Sequence, residues 1–113
     1  MAFTGINRVR SARVVHFGPG AARELGPALE ELGGQRVVLV TDPGVRGAGL
    51  VERALEGVTA EVTVYDGVQP EPPYRLAEEC ADLIRERDAQ VVVGLGGGSS
   101  LDTANMAAAL IAN

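Results

Sequence analysis

Two runs of branched aliphatic residues, Val37-Val38-Leu39-Val40 and Val91-Val92-Val93, limit the folds open to this chain more than any other feature. A β-strand sends alternate side chains to opposite faces of its sheet, and these runs are apolar at every position. Both faces must therefore be covered, as they are for a parallel strand lying between layers of helices. The rest of the chain supplies the layers. Short β-branched stretches from Arg13 to Phe17, Arg36 to Thr41, Glu61 to Tyr65 and Val91 to Leu95 alternate with longer amphipathic ones. That rhythm predicts an α/β, Rossmann-like parallel sheet with helices on both faces. At 113 residues the chain has room for one such domain, residues 1–113.

The helices are predicted from spacing. Gly18-Pro19-Gly20 turns the first strand into a helix with Ala22, Leu25, Leu29 and Leu32 on one face, stopped by Gly33-Gly34. Asp42-Pro43-Gly44 ends the second strand, and a shorter helix runs to about Leu55. Glu61 to Tyr65 alternates polar with apolar residues, the pattern of a strand nearer the sheet edge. A proline-rich loop from Asp66 to Pro73 leads to a helix from Tyr74 to Arg87 that buries Leu76, Cys80, Leu83 and Ile84. A last helix carries Leu101, Ala104, Ala108 and Ile111 on its inner face.

Charge narrows the partners. Ten basic residues, all arginine, against 15 acidic ones give a net charge of −5. Nucleic acid and anionic membrane both demand a concentrated basic face, so neither is expected. No apolar run is long enough to span a bilayer. Cys80 has no second cysteine to pair with, and the first residues lack a secretory pattern. The expected location is the cytoplasm.

Gly94-Leu95-Gly96-Gly97-Gly98-Ser99-Ser100-Leu101-Asp102 carries the clearest chemistry. A buried strand runs through glycines into a helix start, where backbone N–H groups converge on an anion. Three consecutive glycines exceed what a turn needs, so phosphate binding is expected. Ser99 or Ser100 is expected to cap the helix or donate to a phosphate oxygen. The P-loop and Gly-x-Gly-x-x-Gly patterns both fail, because no Lys follows and Ser99 stands where the third glycine belongs. Asp102 is expected in the first turn of the last helix, as part of a capping box with Ser99 or as a ligand. Asp42 ends the second strand, where a carboxylate serves either as a turn residue or as a partner for both ribose hydroxyls of an adenosine. The latter role repels a 2′-phosphate and favours NAD over NADP. His16, the only histidine, is expected to be buried in the first strand, satisfied by hydrogen bonding; alone it makes no metal site.

Four stretches occur in order: Phe17-Gly18-Pro19-Gly20-Ala21-Ala22, Val40-Thr41-Asp42-Pro43-Gly44-Val45, Asp66-Gly67-Val68-Gln69-Pro70-Glu71-Pro72, and Gly96 through Ala104. From about Arg13 onward the chain thereby resembles the N-terminal cofactor-binding domain of the iron-containing (group III) alcohol dehydrogenases, relatives of dehydroquinate synthase and glycerol dehydrogenase. The resemblance implies a two-domain enzyme that moves hydride between a nicotinamide cofactor and an alcohol or aldehyde. By position it implies that Gly97, Gly98 and Ser99 hold the pyrophosphate and that Asp42 contacts the adenosine ribose. It puts Glu71 beside the adenosine and Asp102 near the nicotinamide end. Asn105 stands where the family usually has Lys, and Glu71 where it often has Asn.

In the family a further segment completes the cofactor site, and a helical C-terminal domain binds Fe2+ or another divalent metal through an Asp and several His. The expectation is thus an incomplete N-terminal domain of a metal-dependent NAD(P) alcohol dehydrogenase, inactive alone and a weak binder of dinucleotide. Alternatives are another superfamily member, such as a maleylacetate reductase or a polyol dehydrogenase, and a non-catalytic nucleotide-binding module paired with a second chain. Asp102 argues mildly against the reductases. Substrate, metal and oligomeric state, a homo-oligomer included, are left open by these residues.

Overall fold

A computed structural model describes residues 12–69 and 74–112. Four parallel strands, β1 (Arg13–Phe17), β2 (Arg36–Val40), β3 (Glu61–Tyr65) and β4 (Val91–Leu95), form a sheet in the order β1-β4-β2-β3. The two all-apolar runs are the two central strands, and β3 lies at an edge, as its alternating pattern predicts.

Both faces of the sheet are covered. Val37 and Leu39 of β2, with Val91, Val93 and Leu95 of β4, pack beneath α1 (Leu25–Leu32) and the short helices α2 (Pro43–Gly47) and α3 (Leu50–Leu55). Val38, Val40 and Val92 point the other way, against α4 (Tyr74–Arg87) and α5 (Gly98–Ala112). Removing each such aliphatic side chain from water contributes about 1.5–3 kcal/mol, which fixes the register of the central strands. Cys80 is fully buried in the second layer, a core residue as expected.

Three helices differ from the periodicity. The stretch Pro19–Glu24 is a 3₁₀ helix, and α1 begins only at Leu25. Pro27 explains the break: it has no N–H to bond and is tolerated in the first turn of a helix but not in its interior. The single helix expected up to Leu55 is split into α2 and α3 at Gly49, whose φ of 79° is left-handed. In α5 the fully buried positions are Ser100, Thr103, Ala104, Ala107 and Ile111, while Leu101 and Ala108 are half-buried. This helix is rich in small residues on all sides, so its pattern marks the inward face weakly.

His16 corrects an expectation. It is exposed, because β1 is the other edge of the sheet, where no residue of the strand is fully buried.

Candidate functional site

Strand order creates a crevice. From β2 the chain crosses to β3 on one side and returns to β4 on the other, so the carboxyl ends of β2 and β4 flank a point where the winding reverses. Open α/β sheets bind ligands at such points. Here they carry Thr41-Asp42 and the glycine loop.

Thr41 holds the three strand ends together. Its buried hydroxyl donates to the Leu95 carbonyl at 2.7 Å. Its N–H donates to the Tyr65 carbonyl at 2.8 Å, and its carbonyl accepts from the Val68 N–H at 3.2 Å. Thr41 went unassigned from the sequence, although a polar residue ending an apolar run is a visible signal.

Asp42 acts first as a cap, with Oδ1 accepting the Val45 N–H at 2.8 Å and so holding the start of α2. The turn function of this aspartate is thus real, and it also fixes the carboxylate at the crevice. Oδ2 lies 3.5 Å from where a β-carbon on Gly96 would sit.

The three consecutive glycines have different roles. Gly96 has a φ of 136°, and a β-carbon there would meet Ser100 Oγ at 3.1 Å and Val45 Cγ2 at 3.4 Å. The chain itself therefore requires glycine at this point. At Gly97 and Gly98 a β-carbon would meet nothing within 4 Å, and neither φ is left-handed. Folding does not ask for glycine at either. Both face an open cleft of about 400 Å³, lined also by Asp42, Pro43, Gly44, Val68, Gln69 and Ser99.

The Gly97 carbonyl accepts from the N–H groups of Ser100 at 3.2 Å and Leu101 at 3.3 Å, starting α5. The first turn of a helix leaves its leading N–H groups without intrahelical acceptors, and they carry its partial positive charge. Gly97, not Ser99, thus closes the helix, which corrects the expected capping box. Ser99 lies inside the first turn and lines the cleft, its carbonyl taking a 2.8 Å bond from Thr103 Oγ1. Asp102 falls one residue beyond the first turn, exposed and outside the lining of the cleft. Glu71 lies outside the described residues.

Two further groups stand beside the loop: Ser100, expected as an alternative to Ser99 for the cap or a phosphate, and His16, expected to be satisfied by hydrogen bonding. Ser100 Oγ is fully buried and has no partner among the described residues. A buried hydroxyl without a partner is unfavourable by about 1–3 kcal/mol, and Ser100 does not line the cleft. His16 Nε2 lies 2.8 Å from the Gly96 carbonyl, bonding an edge strand to the glycine loop.

Remote from the cleft, burial pushes the Cys80 thiol up to about 12. Burial also raises the Tyr65 phenol, helped by the 2.9 Å hydrogen bond its hydroxyl donates to Glu79. Neither group lines the cleft. Among the described residues no group of three or more His, Cys, Asp or Glu is placed to hold a metal ion, so these residues do not fit an iron site. No described helix is long and apolar enough to cross a membrane.

The family model described as iron-containing alcohol dehydrogenase matches residues 12–113. The chain belongs to the iron-containing alcohol dehydrogenase family. Within it, the chain is 38% identical over 98 residues to long-chain-alcohol dehydrogenase 1 of Geobacillus thermodenitrificans, a match covering 84% of this chain and 25% of that protein. It is 37% identical over 94 residues to choline dehydrogenase of Bacillus subtilis, covering 80% of this chain and 23% of that one. Among solved structures, sulfoacetaldehyde reductase from Bifidobacterium kashiwanohense in complex with NAD+ superposes with a TM-score of 0.74 at 25% identity, over 92% of this chain and 28% of that chain. This member of the iron-containing alcohol dehydrogenase family therefore spans 23% and 25% of the length of these two curated relatives.

Proposed function

We propose that the cleft between the ends of β2 and β4 binds the pyrophosphate of a nicotinamide dinucleotide. On this reading the chain is the cofactor-binding part of a metal-dependent NAD(P) alcohol dehydrogenase that exchanges hydride between nicotinamide and a small alcohol or aldehyde. One observation carries the reading: Gly97 and Gly98 are glycines that the fold does not need, at a helix start that faces an open cleft. Glycine there lets a bulky anion approach the backbone. The likeness to a reductase solved with NAD+ supports it.

The N–H groups of Gly97, Gly98 and Ser99 would bind the pyrophosphate oxygens, and the dinucleotide would supply hydride at its nicotinamide. Asp42, held by its cap, would bond the adenosine ribose and repel a 2′-phosphate, so NAD is preferred over NADP. The family pattern assigns Glu71 to the loop beside the adenosine. Asp102, further along α5, is assigned to the nicotinamide end. With Cys80 as its single thiol, buried and unpaired, the chain suits a reducing compartment, and we place it in the cytoplasm.

The test compares NADH and NADPH binding, by fluorescence titration, in the complete product of the gene and in its Asp42→Asn variant. Asparagine keeps the cap and removes the charge. The wild type should prefer NADH, and the variant should lose about tenfold of that preference. A wild type that binds neither dinucleotide refutes the site. An unchanged preference in the variant refutes the role of Asp42.

A further inference from the structure

The peptide between Gly96 and Gly97 is the weak point of the loop. Glycines flank it on both sides, and glycine populates both signs of φ about equally, so backbone preference alone does little to hold its orientation. The orientation matters, because a trans peptide points its C=O and the following N–H in opposite directions. One setting offers the cleft the Gly97 N–H. The flipped setting offers it the negative Gly96 oxygen.

Strand β1 holds one setting. It lies on the side of β4 away from β2, and it grips Gly96 twice. The Gly96 N–H donates to the Phe17 carbonyl at 3.0 Å, and the Gly96 carbonyl lies 2.8 Å from His16 Nε2. A carbonyl has no proton to give, so the ring nitrogen is the donor. Because the N–H of a trans peptide opposes its C=O, drawing the carbonyl toward β1 leaves the Gly97 N–H for the other side of β4, the side of β2, and Asp42, Pro43 and Gly44 line the cleft together with Gly97 and Gly98. His16 is exposed on an edge strand, so core packing gives no reason for a histidine there.

We propose that His16 is a positioning residue for the dinucleotide: by holding the Gly96 carbonyl, it locks the Gly96–Gly97 peptide with the Gly97 N–H aimed at the phosphates. The inference rests on the cleft being a dinucleotide site. It also makes β1 part of the binding machinery, although β1 does not itself line the cleft.

The test is NADH titration of the complete gene product, the wild type first, then His16→Phe and His16→Gln. Phenylalanine keeps a flat ring near Gly94 and suits an edge strand, but lacks the donor. Glutamine restores an N–H. The expected result is a three- to tenfold weaker Kd for His16→Phe, about the value of one hydrogen bond, with thermal stability preserved and most of the affinity recovered in His16→Gln. Wild-type affinity in His16→Phe overturns the inference. So does a loss of affinity that accompanies a fall in stability and is not recovered by glutamine, which marks a merely structural residue. A wild type that ignores NADH overturns the reading of the cleft, and this inference with it.

Discussion

Replacing Gly96 by alanine tests whether the glycine loop is built as described. At a φ of 136° a side chain imposes backbone strain of about 1–3 kcal/mol. The new β-carbon would lie 3.1 Å from Ser100 Oγ, closer than an ordinary contact, so the serine or the loop must shift by a few tenths of an ångström. Alanine also restricts the unfolded chain, which offsets about 0.4–1 kcal/mol. The net loss should be about 1–3 kcal/mol, or roughly 5–15 °C in Tm for a domain of this size. Thermal unfolding followed by circular dichroism measures it. Gly97→Ala is the control, since its β-carbon meets nothing within 4 Å and stability should move by less than about 0.5 kcal/mol. Adding Ser100→Ala to Gly96→Ala relieves the close contact, and the pair should couple by about 0.5 kcal/mol or more. If Gly96→Ala melts with the wild type, or if both glycines respond alike, the account of the loop is wrong.

Thr41→Val keeps the side-chain volume but leaves the buried Leu95 carbonyl without its 2.7 Å donor. It should be destabilising by about 1–3 kcal/mol, seen as a lower urea midpoint at an unchanged m-value. Alkaline pH should destabilise the protein through two groups that burial holds neutral. Cys80 ionises near its ordinary 9.0 when unfolded and near 12 when folded, so its contribution is intact below pH 9 and lost progressively above it. Tyr65, raised from 10.0, adds a further loss above pH 10. Urea midpoints at pH 7, 9 and 10.5 should be level up to pH 9 and then fall, with a shallower fall in Tyr65→Phe; a flat profile contradicts both burials.

Much of this fold is legible in the residues, and the parts that are not have physical reasons. Strands from Arg13 to Phe17 and Glu61 to Tyr65, and the helix from Tyr74 to Arg87, have the bounds their patterns predict. Each is a local signal, a β-branched run or an apolar stripe. The order β1-β4-β2-β3 is not local, and it alone decides that His16 stands on an open edge within reach of Gly96, 80 positions away. In the same way Thr41 reads as a strand end, while its hydroxyl partner 54 positions on follows from sheet pairing. Ser99 and Asp102 show a capping spacing, but the helix begins two residues earlier than that spacing implies because Gly97 already supplies the carbonyl that starts it. Asp42, Gly97, Gly98 and Ser99 are legible as candidates, since strand ends and a glycine-rich helix start are sequence features, and the fold brings these four to one cleft. That only Gly96 among the three glycines serves the chain's own geometry required the neighbours of each α-carbon.

The most direct test of the cleft is NADH affinity in Gly98→Asp, measured beside thermal stability. The position is the first residue of α5, and its β-carbon would meet nothing within 4 Å. An acid there suits the helix dipole and should leave stability level or raise it by about 0.3–1 kcal/mol. The same carboxylate stands where the pyrophosphate should bind, so affinity should fall at least about tenfold. A protein that is as stable as the wild type and has lost NADH places the dinucleotide at this helix start. Undiminished affinity for NADH in that variant would contradict it.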